Sequence, residues 1–215
     1  MTAPGMAQAE VFELFPTPVS RVPGVLTATE AAALAQRLAA QAVVGNDQSA
    51  QLAHSALLGP GEHPALDALV ERLGPHVQAF GELLLGEALR WLVKEIWVNV
   101  LQPGGQQAVH NHANSFVSGV VYLTPSDDSA RTVFLRGMGG SEFALRNTHR
   151  GTRVGAFNAE KWVAPPPAPG DVLLFPSYLL HQVPTNRGAA RVTLAFNAIP
   201  HRLDAWGYTL SLSPG

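Results

Sequence analysis

The sequence predicts a mainly β fold with flanking helices, in which an N-terminal helical layer packs against a β-sandwich or jelly roll. From Trp91 onward, short runs rich in β-branched and aromatic residues alternate with Gly- and Pro-containing turns, without helical patterns between them. Before Trp91, apolar residues recur at steps of three and four, as on a helix face. The chain has 215 residues, 47% of them hydrophobic and 14% charged, which is enough for one sizeable core.

The N-terminal segment predicts an extended lead-in followed by a helix. Residues 1–26 contain four prolines and an apolar-aromatic run, which indicates a strand at a sheet edge, because proline cannot serve a central strand. Thr27 and Glu30 then have the spacing of a capping box, and the Ala- and Leu-rich stretch after them predicts a helix to about Val43.

A loop and a second helical stretch are predicted next. Residues 44–62 are polar and rich in turn residues, which predicts a loop. From Leu66 to Leu84 an apolar stripe with helical spacing follows. Gly74 and Pro75 lie inside this stripe and predict either a kink or a break into two helices.

The second half of the chain predicts the strands of the β core. The β-rich runs are Trp91 to Val100, Ser115 to Leu123, Thr132 to Leu135, Asp171 to Phe175 and Arg191 to Asn197. Turn signals between short strands favour an antiparallel double sheet. We therefore expect a single domain over 1–215, with the lead-in and helical layer in 1–90, the jelly-roll core in 91–200 and a C-terminal tail in 201–215.

Composition excludes several kinds of chemistry and partner. No cysteine occurs, which excludes disulfides, thiolate metal sites and cysteine nucleophiles. The net charge of −2 without basic runs argues against nucleic acid or an anionic membrane as partner. Neither a signal peptide nor an apolar run near ~20 residues is visible, so we expect a cytoplasmic protein. Metal or acid–base chemistry must use the eight histidines, Asp, Glu or Tyr.

Two histidines open one of the predicted strands. In an extended segment residues i and i+2 point to the same side, so His110 and His112 would share one space. His181 follows an apolar strand further along the chain. Neutral imidazoles bind first-row metals such as Fe, Zn, Cu and Ni, so these three histidines are candidate metal ligands. The other five are expected to form surface or local hydrogen bonds: His54, His63, His76, His149 and His201.

An arginine on a later strand completes this constellation. Arg191 and Thr193 are alternate residues of the run Arg191 to Asn197 and would share one face. An inward-facing arginine is costly unless it meets an anion, and a guanidinium binds a carboxylate at two points. The residues therefore suggest a metal held by histidines with a carboxylate-bearing cosubstrate beside it.

Several motifs agree in order and spacing with a known superfamily. They are Leu14 to Val19, Trp97 to Val100, His110 to His112, Ser118 to Leu123, Phe175 to His181 and Arg191 to Asn197. In this combination the chain resembles a group of oxygenases within the 2-oxoglutarate/Fe(II)-dependent superfamily. The resemblance touches nearly the whole chain and is strongest over residues 97–197.

The resemblance implies a double-stranded β-helix with iron held between its strands. His110 would be the first ligand and His181 the distal one, while His112 would stand where the superfamily usually has Asp or Glu. Arg191, with Thr193, would bind the distal carboxylate of 2-oxoglutarate. No catalytic residue beyond the metal ligands is implied.

Further cosubstrate contacts are expected from neighbouring strands. Ser118 and Tyr122 lie at even spacing from His112, so a regular strand would turn them to the same inward face, where they could hydrogen-bond 2-oxoglutarate. Asn99 and Asn197 are additional candidates.

The chain departs from the superfamily at the second ligand. No Asp or Glu occurs between Glu95 and Asp127, so the usual carboxylate ligand cannot come from the His110–His112 segment. A three-histidine site would leave the metal one negative charge short. Alternatively, a remote carboxylate such as Asp171 or Glu142 completes the set. We favour three histidines.

These observations predict an enzyme, an Fe(II)- and 2-oxoglutarate-dependent dioxygenase that hydroxylates an unidentified, small-molecule substrate and releases succinate and CO₂. One alternative is a cupin-like module that binds a metal or a small acid without catalysis. Another is a three-histidine dioxygenase that does not need 2-oxoglutarate. The basic segment 137–170 is either a solvated loop or a lid over the substrate. We expect no nucleic acid or membrane partner, and a homodimer is compatible with the sequence.

Overall fold

The computed structural model of the protein describes residues 13–46, 49, 51–137 and 149–213. Over these residues the chain forms two α-helices, α1 (Ala28–Leu38) and α2 (Pro64–Leu85), and thirteen strands. The strands are β1 (Ser20–Val22), β2 (Val44–Gly45), β3 (Leu52–His54), β4 (Trp91–Leu101), β5 (Gln107–His110), β6 (Val117–Tyr122), β7 (Val133–Leu135), β8 (Lys161–Val163), β9 (Val172–Pro176), β10 (His181–Val183), β11 (Arg191–Pro200), β12 (Arg202–Ala205) and β13 (Tyr208–Ser211).

Two antiparallel sheets form the core of the protein. The larger has seven strands in the order β1-β9-β6-β11-β4-β3-β2, and the smaller has four in the order β5-β10-β7-β8. Strand β11 is central, with Thr193 opposite Asn99 on β4 and opposite Tyr122 on β6. The crossovers between the sheets bring together strands that are far apart in sequence. The expected mainly β fold with a double-stranded β-helix core is confirmed.

Strand β4 shows how the larger sheet separates two environments. Ile96 and Val98 are buried in the main apolar cluster on the helical side, whereas Glu95, Trp97 and Asn99 line a cavity on the opposite side. The helix residues in that cluster include Leu34, Leu38, Leu69, Leu73, Val77 and Phe80. Since each fully buried side chain of this kind contributes about 1.5–3 kcal/mol, the helical side supplies much of the stability. The other side is free to carry polar groups.

The two helices follow their sequence signals, except that α1 ends at Leu38 and not near Val43, and that α2 is not broken at Pro75. The capping box of α1 is present, with the Glu30 backbone N–H donating to Thr27 Oγ1 and the Glu30 carboxylate accepting from the Thr27 backbone N–H. Helix α2 is continuous through Pro75, so the alternative of two separate helices is wrong. Leu73 and Val77 are buried on either side of Pro75, and their packing outweighs the hydrogen bond that proline cannot make.

The structure also refines the segments around these helices. The lead-in contributes β1, which in the described part of the chain pairs with β9 alone, at the edge of the larger sheet, as expected for a strand within a proline-rich segment. The prediction of a loop over 44–62 is wrong in part, because β2 and β3 extend the larger sheet beyond β4. These strands have two and three residues, too few to show a period of two.

Two further segments bear on the predictions. Of the segment 137–170, residues 138–148 lie outside the described residues, and β8 pairs with β7 at the edge of the smaller sheet. In the segment 201–215, β12 and β13 form a two-stranded hairpin. Neither described helix has both the length and the apolar character required to cross a membrane.

Candidate metal and cosubstrate site

Three histidines meet where the smaller sheet faces the cavity. His110 ends β5 and His181 begins β10, and the two residues are direct partners in the antiparallel register. His112 lies two residues beyond His110 in the following loop, where its backbone N–H donates to the Ser177 carbonyl at 2.9 Å. Potential ligand nitrogens of the three imidazoles all lie within 4.8 Å of one another. The sequence-predicted set is therefore brought together.

Hydrogen bonds orient two of the three rings for metal binding. His110 Nδ1 lies 2.8 Å from the Ala108 carbonyl oxygen, and His181 Nδ1 lies 2.9 Å from the Leu179 carbonyl oxygen. A carbonyl can only accept, so each Nδ1 carries the hydrogen and each Nε2 keeps a lone pair. This arrangement of a backbone acceptor behind a ligating imidazole is common in metal sites.

The protonation state of the histidines also suits a metal. Burial, together with a smaller effect of the positive charge of a protonated His110, lowers the pKa of His181 to about 3. Burial likewise lowers the pKa of His112 to about 4 and lowers the pKa of His110. The imidazoles are therefore neutral at pH 7, which is the form that binds a cation. Donor type, spacing and protonation together fit a divalent first-row metal.

Asp171 does not complete this set, and that alternative is wrong. Its carboxylate accepts two hydrogen bonds from the Arg21 guanidinium, at 2.9 and 2.6 Å, and further bonds from the Gly24 and Ala168 backbone N–H groups. These bonds attach the chain before α1 to the start of β9, and Asp171 is not among the residues that line the cavity. The other suggested carboxylate, Glu142, lies outside the described residues.

Arg191 lies at the start of β11, in the same cavity as the histidines. Only 5% of the residue is exposed, its Nε donates to Ser126 Oγ at 3.2 Å, and its guanidinium lies 5.2 Å from the centre of the Tyr122 ring. Among the described residues no carboxylate lies within ion-pair distance of it. Burial lowers the pKa of Arg191, in keeping with a cation that lacks a counter-ion. Such a group is a ready receptor for a carboxylate ligand.

The remaining predicted contacts divide into two groups. Thr193 and Asn99, which are cross-strand partners, both line the cavity. Tyr122 supports the Arg191 guanidinium, and its hydroxyl lies 2.9 Å from Thr132 Oγ1. Ser118 does not line the cavity.

The Ser118 hydroxyl belongs to a buried network behind the cavity wall. It donates to Asn197 Oδ1 at 2.7 Å and lies 2.9 Å from Ser177 Oγ. Because its one hydrogen is used there and Ser118 does not line the cavity, the structure does not bring Ser118 together with Thr193 and Asn99. Asn197 lines the cavity and donates from Nδ2 to the Glu95 carboxylate at 2.8 Å.

Other residues of the cavity wall were not anticipated from the sequence. The cavity has a volume of about 620 Å³. Trp97 lines it with its ring 5.7 Å from the ring of His112, and Glu95 lies on the same strand face two residues earlier. Alternation from Asn99 back along β4 could have indicated both. His54, expected to form only local bonds, also lines the cavity because β3 joins the larger sheet.

Residues 95–197 match a family described as "Putative 2OG-Fe(II) oxygenase". This span contains the three histidines and Arg191. The β core of the chain is similar to the 2OG-Fe(II) oxygenases. The match indicates an oxygenase whose cofactors are Fe(II) and 2-oxoglutarate.

Solved structures share the fold of this oxygenase at low sequence identity. HygX from Streptomyces hygroscopicus, with nickel and 2-oxoglutarate bound, is 16% identical over 86% of this chain and 83% of its own, with a TM-score of 0.61. A Pseudomonas putida prolyl-4-hydroxylase is 17% identical over 86% and 93%, with a TM-score of 0.59. A Burkholderia pseudomallei oxidoreductase of the 2OG-Fe(II) oxygenase family is 17% identical over 84% and 83%, with a TM-score of 0.55. The search of curated proteins finds no match.

Proposed function

We propose that this oxygenase hydroxylates a small organic substrate at an Fe(II) centre formed by His110, His112 and His181. The observation that supports this is the convergence on a single cavity of three neutral imidazoles and a buried arginine that has no carboxylate partner among the described residues. When bound, Fe(II) and 2-oxoglutarate supply the oxidising chemistry. One atom of O₂ enters a substrate C–H bond, the other enters succinate, and CO₂ is released.

The histidines hold the metal and keep one side of it open. The backbone carbonyls of Ala108 and Leu179 fix the tautomers of His110 and His181, so that each ring presents Nε2. His112 takes the place of the usual carboxylate. Three protein ligands leave coordination positions for the cosubstrate and O₂, as in other non-haem iron oxygenases with a facial ligand set.

Arg191 binds and orients 2-oxoglutarate in this proposal. Its guanidinium meets the distal carboxylate of the cosubstrate, which replaces the missing counter-ion and makes two charge-assisted hydrogen bonds. Thr193 lies on the same strand face and adds a hydroxyl, and Tyr122 holds the guanidinium in place. Asn99 lies opposite Thr193 and extends the polar wall.

A visible absorption band tests the assignment of both cofactors. Anaerobic addition of Fe(II) and 2-oxoglutarate is expected to produce a metal-to-ligand charge-transfer band, which requires both molecules on one site. His181→Ala should lose the band, because it removes a buried ligand. His201→Ala is the matched control, since the His201 ring hydrogen-bonds the Arg90 carbonyl and lies outside the cavity. A band that persists in His181→Ala would overturn the metal site.

Turnover distinguishes this function from its alternatives. Hydroxylation predicts consumption of O₂ with formation of succinate that depends on 2-oxoglutarate. O₂ consumption without the keto acid would indicate a 2-oxoglutarate-independent dioxygenase, and metal binding with neither reaction would indicate a binding module. We also propose that the enzyme acts in the cytoplasm, where both Fe(II) and 2-oxoglutarate are available. We further propose that its substrate is not a nucleic acid. Cell fractionation would test the location.

A further inference from the structure

Glu95 lies in the cavity without a role in the proposed reaction. It is on β4, two residues before Trp97 and four before Asn99, so all three side chains project from the same strand face. Trp97 contacts the ring of His112 at a centroid distance of 5.7 Å. Among the described residues that line the cavity, Glu95 is the only one with a carboxylate. The face of β4 that contacts His112 therefore also carries a negative charge.

Hydrogen bonds hold this carboxylate in a fixed position. Asn197 Nδ2 donates to Glu95 Oε2 at 2.8 Å, and Lys94 Nζ donates to Oε1 at 2.6 Å. Burial opposes ionisation of Glu95, but the bonds from Asn197 and Lys94 outweigh it and lower the pKa of the carboxyl. Glu95 is thus ionised at neutral pH and cannot swing freely toward solvent.

The same network reaches the backbone of His112. Asn197 Oδ1 accepts from the Ser118 hydroxyl, which lies 2.9 Å from Ser177 Oγ. The Ser177 carbonyl accepts the backbone N–H of His112 at 2.9 Å. The Glu95 carboxylate is therefore connected to the segment that carries His112 by hydrogen bonds through Asn197, Ser118 and Ser177.

His112 differs from His110 and His181 in the hydrogen bonding of its ring. His110 and His181 each have a backbone carbonyl at Nδ1, whereas no hydrogen bond to the His112 ring is found in the described part of the chain. All three ligands are imidazoles, so the ligand set carries no negative charge. Of the three, His112 is the one that interacts electrostatically with Glu95, and both residues line the same cavity.

We infer that Glu95 stabilises the metal centre by supplying, from outside the ligand set, a negative charge that the three neutral imidazoles do not carry. The inference rests on the proposed three-histidine site. Lys94 offsets part of this charge, so its removal should strengthen the effect of Glu95. The metal affinity of the protein, measured without turnover, reports both contributions.

Titration with Co(II), followed by its visible absorption, tests the role of Glu95. Glu95→Gln keeps the shape and an acceptor for Asn197 but loses the charge, and should weaken Co(II) binding about 10–100-fold, as removal of an outer-sphere partner usually does. Glu87→Gln is the matched control, because Glu87 pairs with Arg202 outside the cavity. Thermal unfolding of the metal-free proteins separates a change in affinity from a change in stability.

A second background distinguishes charge from structure. His112→Asp places a carboxylate directly on the metal, so in that background Glu95→Gln should change Co(II) affinity by less than about threefold, because the interaction no longer supplies a missing charge. An equal loss in both backgrounds would show a general structural effect and overturn the inference. No loss in either background would overturn it as well.

Two further variants keep the result interpretable. Should Glu95→Gln not fold, Lys94→Met retains the carboxylate, and its Co(II) affinity should rise severalfold; an unchanged or lower affinity would contradict the inference. His181→Ala tests the metal site itself. If His181→Ala binds Co(II) normally, the proposed metal site is refuted. If His181→Ala binds Co(II) poorly but Glu95→Gln binds it normally, only the role of Glu95 is refuted.

Discussion

Replacement of Arg191 by methionine should remove 2-oxoglutarate binding without destabilising the protein. Ligand binding and stability should respond differently because Arg191, which is only 5% exposed, has no counter-ion among the described residues. Its charge is useful only when a carboxylate ligand is present. Methionine approximates the length of the arginine stem and leaves a smaller void than alanine would.

The structure sets the size of both effects. A hydrogen bond to a charged group is worth about 1.5–3 kcal/mol, so loss of two such bonds to the distal carboxylate removes about 3–6 kcal/mol of binding free energy. At about 1.4 kcal/mol per factor of ten, 2-oxoglutarate affinity should fall roughly 10²–10⁴-fold. For the unliganded protein, loss of the bond from Arg191 to Ser126 costs about 1.5–3 kcal/mol, which relief of the buried charge should offset.

Anaerobic titration of the Fe(II) protein with 2-oxoglutarate measures the affinity, and urea unfolding of the metal-free protein measures the stability. Arg21→Met is the informative control, because Arg21 binds the Asp171 carboxylate at 2.6 Å and serves structure alone. This control should lose stability and keep its 2-oxoglutarate affinity. The reasoning would be refuted if Arg191→Met bound 2-oxoglutarate normally, or if its main defect were a loss of stability as in Arg21→Met.

Three further perturbations probe the framework around the site. Asp171→Asn should lower the free energy of unfolding by about 1–3 kcal/mol, because a buried carboxylate loses charge-assisted bonds, yet leave Co(II) affinity unchanged. The metal-free protein should lose stability as pH falls from about 6.5 toward 4, by about 1.4 kcal/mol per pH unit for each histidine, because the unfolded chain takes up protons that buried His112 and His181 do not. Gly119→Ala should cost about 1–3 kcal/mol, since a Cβ there would lie 2.2 Å from Phe196 Cζ in the core.

Each of these outcomes can be contradicted by a simple measurement. Loss of Co(II) binding in Asp171→Asn, judged by titration at matched protein concentration, would return Asp171 to the list of metal ligands. A stability in urea that stayed constant between pH 6.5 and 4 would show that the histidines protonate freely in the folded state. Normal thermal unfolding of Gly119→Ala would show that Phe196 can move aside.

Local patterns were sufficient for the elements that carry their own signal. The Thr27–Glu30 capping box and the apolar stripe of α2 depend on residues within one or two turns, so the sequence predicts both. Strand β3 has three residues and shows no period of its own; it forms because Leu52, Ala53 and His54 pair with the long strand β4. The loop prediction for this region failed for that reason.

The site divides in the same way. Spacing along one strand predicted that His110 and His112 share a space and that Arg191 and Thr193 share a face, because alternation in extended chains is a local property. Which distant groups meet them is decided by the register between strands. Only the tertiary structure pairs His181 with His110, places Glu95 in the same cavity as His112, and binds Asp171 to Arg21 instead of the metal. The sequence thus determined the chemical groups of an oxygenase site, and the packing of two sheets decided which of them face one another.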